Sequence, residues 1–336
     1  MAGTNCRPDV VRDRGEAVVN AGSGNERQYM CHSIQIMEAM AERKQRRFLT
    51  LIAGPTASGK SALAARLATE RGALIVNADS MQVYKELRIL TARPSVVDET
   101  LIPHRLYGFR SAAEPYSVAG WLEDLAPLVA AARAGGEPLV IVGGTGLYFK
   151  ALLEGLSPVP EIPEAIRRYW RAQAATADSR VLHAALAERD PAIAVRIAHT
   201  DPQRIVRALE VLDATGQSLL DWQKTAGSAL AEPDETERLF VCPPRDSLYA
   251  RCDARLDGMI AAGALNEVRD LASLGIDPGL PAMRALGVRP FLGYLDGVLA
   301  WEAAVDAAKT ETRRYAKRQM TWARSHMISW KPAFTQ

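Results

Sequence analysis

The chain has 336 residues, 48% of them apolar and 24% charged, and a formal charge of +2. That is the composition of an ordinary soluble globular protein, long enough for one large domain and a smaller one, and it excludes a low-complexity or fibrous chain. The charge is too small to hold nucleic acid through an overall field, so any RNA-binding face must come from local clustering.

Residues 1–46 are polar, charged and aperiodic, and read as a disordered extension or an upstream start, with Met37 and Met40 as alternative initiators. Order is expected from Phe48–Ala53, an apolar run ending at Gly54 that predicts a buried parallel strand, followed by helical spacing over Ser61–Leu67. Further strands are predicted at Ala73–Val76, running into Asn77-Ala78-Asp79-Ser80, and at Pro138–Val142, running into Gly143-Gly144-Thr145-Gly146. A fourth is predicted at Arg238–Cys242, closed by Pro243-Pro244. Between 157 and 235 the strand signal gives way to helical patterns. The expected organisation is therefore a helix-covered parallel sheet of the P-loop NTPase-like α/β class, built from 47–156 and 236–330, with 157–235 as a helical insertion. Ligands of such sheets bind beyond the carboxyl ends of the strands, which puts Gly54, Asp79 and Thr145 near one another.

The four cysteines, Cys6, Cys31, Cys242 and Cys252, form no Cys-x-x-Cys pair, so structural zinc is not expected, and Cys242 reads as a core residue. No apolar run reaches membrane-spanning length and the opening residues lack a signal-peptide core, which predicts a cytoplasmic protein with no membrane partner.

Gly54-Pro55-Thr56-Ala57-Ser58-Gly59-Lys60-Ser61 fits G-x-x-x-x-G-K-[ST] between a strand and a helix. The expectation is that backbone amides of 55–60 curl around an anion, Lys60 adds a point charge, Ser61 is a ligand for Mg²⁺, and the helix N-terminus adds its dipole. The motif does not say whose phosphate is held. A kinase normally offers a second-strand aspartate for the metal, whereas the Leu139–Val142 strand ends in Gly-Gly-Thr-Gly. Asp79 is then either a metal ligand or a base, and residues alone leave the chemistry open.

Taken together, GPTASGKS at 54–61, DSMQVYK at 79–85, TARP at 91–94 and GGTGLYFKALLEGL at 143–156 resemble the tRNA dimethylallyltransferase family. DPQRIVRALEV at 201–211 and RYAKRQMTWAR at 314–324 follow in family order, so the resemblance runs over roughly 48–330. It implies that the phosphate loop holds the pyrophosphate of dimethylallyl diphosphate with Mg²⁺. The acceptor it implies is the exocyclic amine of the adenine just 3′ of the anticodon, within the tRNA anticodon stem-loop. No protein partner is implied. By the same resemblance Asp79 takes the amine proton, Thr145 donates to the pyrophosphate side, and Ser80, Met81 and Gln82 touch the target nucleotide. Gln203, Arg204, Ile205, Val206 and Arg207 form the stretch that meets tRNA.

Asp201 caps the predicted helix and Pro202 opens it, which places Gln203, Arg204 and Arg207 on one face. In the last predicted helix Arg313, Lys317 and Arg324 align as a second basic surface, with Arg314 and Arg318 at its edge and Tyr315 and Trp322 turned to the core. Arg284 and Arg289, in RALGVR, match a family stretch near the substrate. Leu90, Tyr107-Gly108 and Val288 depart from residues usual in the family. Three rivals stay open on the residues: a small-molecule or nucleoside kinase, a prenyltransferase of free adenine nucleotides, and a nucleotide-switched RNA-binding module.

Overall fold

A computed structural model describes residues 47–333; the expectations for 1–46, including Met37, Met40, Cys6 and Cys31, fall outside the described residues. The first half alternates strand and helix: β1 (Leu49–Ala53), α1 (Lys60–Arg71), β2 (Leu74–Asn77), α2 (Val96–Leu101), β3 (His104–Arg105), α3 (Val118–Arg133), β4 (Leu139–Gly143) and α4 (Gly146–Glu154). A helical stretch follows, α5 (Glu164–Thr176), α6 (Ser179–Arg189), α7 (Pro191–Ala194), α8 (Pro202–Thr215) and α9 (Leu219–Lys224). The chain then returns to the sheet with β5 (Thr236–Val241), α10 (Arg245–Ala261), α11 (Ala264–Ser273), α12 (Val288–Leu295), α13 (Trp301–His326) and β6 (Lys331–Ala333).

All six strands pair in parallel, in the order β3-β2-β4-β1-β5-β6. Side chains alternate between two apolar layers, as a period of two demands. Leu49, Leu51, Leu139, Ile141 and Val76 face the layer made with Trp121, Leu125 and Phe149. Ile52, Val140, Val142 and Ile75 face the layer made with Leu63 and Leu67 of α1. Burial on both faces is why the strands read as continuous apolar runs.

Two strands escaped the sequence reading. β3 has two residues and β6 contains Pro332, so neither offers the length or alternation that marks a strand. The sheet therefore continues past residue 330, the expected end of the catalytic part. Cys242 is half-buried; the fully buried thiol is Cys252 in α10.

The helices between β4 and β5 have an apolar cluster of their own, in which Trp170, Leu182, Leu186, Ile193, Ile205 and Leu209 pack together. α8 begins as expected: Asp201 accepts from the Arg204 amide and Pro202 occupies the first turn. Another cluster joins Val83, Tyr84, Leu87 and Leu90 to α10–α13 through Leu256, Val268, Phe291 and Ala304.

Trp121 ties α3 to the end of β2. Its ring stacks on Tyr148 with centroids 4.5 Å apart, and its indole N–H donates to the Asn77 carbonyl at 2.8 Å. Trp121→Phe keeps most of the apolar bulk but leaves that buried carbonyl without its donor. We expect a loss of about 2 kcal/mol, the cost of one unmade buried hydrogen bond, read as a lower urea midpoint with an unchanged m value.

Candidate active site

β2, β4 and β1 are adjacent in the sheet, so the three sequence features predicted at strand ends meet in space. The approach of β4 to β2 is close. A Cβ on Gly143 would stand 2.0 Å from the Ala78 carbonyl oxygen, so only glycine fits there. Beyond this point the Thr145 amide donates to the same carbonyl at 3.3 Å.

The turn after β2 is shaped by Asn77, which is fully buried. Its side-chain oxygen accepts from the Asp79 amide at 2.8 Å, and its side-chain nitrogen donates to the Asp79 and Leu106 carbonyls. Asp79 accepts from the Met81 amide through Oδ1 at 2.9 Å, while Oδ2 has no hydrogen-bond partner among the described residues. One oxygen thus serves the turn and the other is left for chemistry. Thr145 Oγ1 accepts from the Ser80 amide at 3.0 Å and lies 3.4 Å from Ser80 Oγ. Its firm contact fixes the turn after Asp79, and the same hydroxyl also meets the Tyr315 phenol.

The phosphate loop needs one correction. Pro55 has no N–H, the Thr56 amide donates to Gln319 Oε1 at 2.9 Å, and the Ser58 amide donates to the Pro55 carbonyl at 3.2 Å. Of the amides of 55–60, those of Ala57, Gly59 and Lys60 make no hydrogen bond among the described residues. Ala57 at φ 61° and Gly59 at φ 90° take left-handed backbone, the conformation that turns successive amides into an anion nest.

Fewer free amides leave more of the work to charge. Lys60, Asp79 and Arg255 line one cavity of about 380 Å³ with Thr56, Ala57, Ser80, Met81, Gln82, Gln203 and Arg284. Burial brings the Lys60 ammonium down to about 8; Asp79 opposes that shift and Arg255 adds to it. Arg255, lowered chiefly by burial, donates to Thr56 Oγ1 at 3.3 Å. Leu90, Leu256, Met259 and Leu286 form the apolar part of the wall. The Glu267 carboxylate holds that wall by accepting from the Arg88, Ile89 and Leu90 amides at 2.8, 2.7 and 2.9 Å.

A second cleft, of about 310 Å³, is lined by Arg284, Arg289, Arg314 and Arg318 with Glu311. Arg284 and Arg318 line both spaces, so the basic cleft adjoins the cavity. The helical stretch reaches its mouth: Gln203 Oε1 accepts from Arg284 at 3.1 Å.

Other expected RNA contacts fall elsewhere. Ile205 and Val206 are buried in the apolar cluster of their own helices, so their side chains are packing. Arg204 is exposed beside Asp201, and Arg207 pairs with Glu210 at 3.7 Å. Gln82 spends its amide nitrogen on the Thr91 and Ala92 carbonyls. On α13, Lys317 is exposed, but Arg313 is turned away to Asp253 at 2.8 Å, and it is Arg314 and Arg318 that line the basic cleft. Tyr315 lines the cavity and is not turned into the core; burial pushes its hydroxyl well above its ordinary range, with Asp79 adding to the effect. Ser61 is exposed beside Lys60, and no group of three or more His, Cys, Asp or Glu side chains among the described residues could hold a metal.

Arg255 and Gln319 were missed by the sequence reading. Arg255 had a signal: it lies in the stripe Leu248, Cys252, Leu256 and Met259, where a charge on the apolar face of a helix calls for a partner or a ligand. Gln319 had none, because a glutamine on a charged helix is unremarkable until its partners are known.

The cavity's charge gives a pH dependence. Lys60 is protonated below about pH 8 and loses its charge above it, so inorganic pyrophosphate should bind more weakly as pH rises from about 7 to about 9. Lys60→Arg, which stays charged, cancels the ligand's own titration in the comparison. Calorimetry should show the ratio of wild-type to Lys60→Arg affinity falling with pH; a constant ratio would mean that Lys60 does not meet the anion.

The comparisons with known proteins agree with this geometry. A family model described as IPP transferase matches residues 82–326, and one described as Isopentenyl transferase matches 47–108. The tRNA dimethylallyltransferase of Phenylobacterium zucineum (strain HLK1) is 52% identical over 280 residues, 83% of this chain and 90% of that protein. The protein of the same name from Bradyrhizobium sp. (strain ORS 278) is 52% identical over 277 residues, covering 82% and 90%. The crystal structure of a tRNA isopentenylpyrophosphate transferase from Bacillus halodurans superposes with a TM-score of 0.60 at 31% identity, covering 85% of this chain and 89% of that one. A eukaryotic dimethylallyltransferase acting on tRNA superposes with a TM-score of 0.67 at 28% identity, covering 82% and 69%. With 52% identity over 280 aligned residues, a family model over 82–326, and a phosphate loop and Asp79 on one cavity beside a basic cleft, the chain belongs to the tRNA dimethylallyltransferase family.

Proposed function

We propose that the protein transfers the dimethylallyl group of dimethylallyl diphosphate to N6 of the adenosine just 3′ of the anticodon, in tRNAs reading codons that start with U, and releases diphosphate. The observation that carries this reading is the pairing of an anion cradle with one carboxylate across a single cavity.

The C–O bond of the donor breaks as negative charge moves onto the diphosphate. Lys60, Arg255 and the amides of Ala57, Gly59 and Lys60 receive that charge where it develops. A divalent ion, Mg²⁺ in this reading, would be held by Ser61 and the diphosphate oxygens, and its chemistry is to neutralise the leaving group. N6 forms the new bond to carbon and becomes acidic only as that bond grows. Its proton then passes to Asp79 Oδ2, which needs no unusual basicity for the task. Thr145 steadies the acceptor turn through Ser80, and in this reading its hydroxyl donates to the diphosphate.

The adenine must leave its stack to reach Asp79, at a cost of a few kcal/mol. The basic cleft at Arg284, Arg289, Arg314 and Arg318 is suited to flanking phosphates, which position RNA without reading it. We assign the insertion 157–235 to the tRNA, with Gln203, Arg204 and Arg207 as contacts and Ile205 and Val206 as support from within, and Lys317 on α13 as a further contact. No helix among the described residues is long and apolar enough to cross a membrane, and a cytoplasmic location is the reading that a tRNA substrate supports.

Incubation with labelled dimethylallyl diphosphate and total tRNA should label tRNA; label on free AMP alone, or ADP formed from ATP, would overturn the reading. Asp79→Asn should slow transfer by about 10²–10⁴-fold and Thr145→Ala by on the order of 10²-fold, with tRNA retention on filters unchanged. Arg204→Ala and Arg207→Ala should instead weaken tRNA binding and each lower its salt slope by roughly one. If the two sets of effects were exchanged, the division of labour between sheet and insertion is wrong.

A further inference from the structure

Gln319 spans the site. Its Oε1 accepts from the Thr56 amide at 2.9 Å, and its Nε2 donates to the Gly144 carbonyl at 2.9 Å. One side chain thereby joins the phosphate loop after β1 to the glycine loop after β4, from a helix 263 residues further along the chain than Thr56. The fit is close: a Cβ at Gly144 would stand 2.2 Å from Gln319 Nε2, so a side chain there would displace the carboxamide. Thr56 in turn receives Arg255 on its hydroxyl at 3.3 Å, so the clamped residue also carries a cation of the cavity.

We propose that Gln319 is a positioning residue that sets the spacing between the anion cradle and the acceptor edge formed by Asp79, Ser80 and Thr145. The inference rests on the proposed prenyl transfer. Its physical basis is that one carboxamide hydrogen-bonds both loops at once, while the reacting carbon must lie between cradle and acceptor turn within about 3–3.5 Å of N6. Clamping the Thr56 amide withdraws a donor that a phosphate loop would normally lend to the anion. The loop gives up some grip on the donor and gains a fixed distance to the acceptor.

Gln319→Leu, of similar size, removes both hydrogen bonds, and Gly144→Ala displaces the carboxamide without touching α13. Each should lower kcat for tRNA prenylation by about 10²-fold, leave tRNA affinity unchanged, and raise the share of donor hydrolysed by water over that transferred. Inorganic pyrophosphate should bind Gln319→Leu at least as tightly as wild type, because the Thr56 amide is released to it. The double variant should be no worse than either single one, since both break the same link. Gln319→Asn, which carries both groups on a shorter arm, should fall between. A kcat for folded Gln319→Leu within about twofold of wild type, or additive losses in the double variant, would overturn the proposal; so would weaker pyrophosphate binding, which marks a structural role. If Gln319→Leu does not fold, Gly144→Ala and Gln319→Asn carry the same comparison. Absence of transfer in the wild type would refute the prenylation reading, whereas the pyrophosphate comparison would still test the clamp.

Discussion

The site depends on cations, the buried Lys60 and Arg255 foremost, sharing one cavity with the carboxylate of Asp79. Lys60 and Arg255 are held there at the expense of their own charge, as the lowered Lys60 ammonium shows. Lys60, Arg255, Arg284 and Arg318 outnumber the one carboxylate, so the cavity carries an excess of positive charge. Such a cavity favours a multiply charged anion, because the ligand gives buried cations the counter-charge that burial denies them. The same carboxylate that balances the cations is left with one unoccupied oxygen, which turns a charge arrangement into a proton acceptor.

Geometry makes that sharing possible. Parallel order places β2, β4 and β1 side by side, so three loops distant in sequence emerge at one edge. The contact of Gly143 with Ala78 brings two of them within hydrogen-bond reach. Asn77 and Trp121 then fix the strand end from below, one by its side chain and the other by its indole. Glu267 performs a similar task for the Leu90 wall, gathering three amides on one carboxylate.

Much of this was legible in the residues. Strands buried on both faces read as apolar runs, and β1, β2, β4 and β5 were found within two residues of their ends. The phosphate loop and Asp79 were found because motif and strand end coincide. What sequence could not supply was direction. Helical spacing placed Arg313 on a basic surface, but a 100° step cannot tell which edge of α13 meets α10, and Asp253 claimed the residue. Likewise Ile205 and Val206 lie in a motif associated with RNA, yet β-branched residues on an amphipathic helix belong to its inner face. β3 and β6 were too short to register, and Gln319 acts through long-range partners with no periodic trace.

The sheet is bounded by β3, with two residues, and by β6, with three and a proline among them. Short, proline-bearing margins give a foreign strand little ladder to extend. The long, strongly apolar strands that build the catalytic edge are all interior, shielded on either side by these stubs. Loss of an outer stub would lay open a ready template for intermolecular pairing, so the least conspicuous elements of the fold are guards against aggregation.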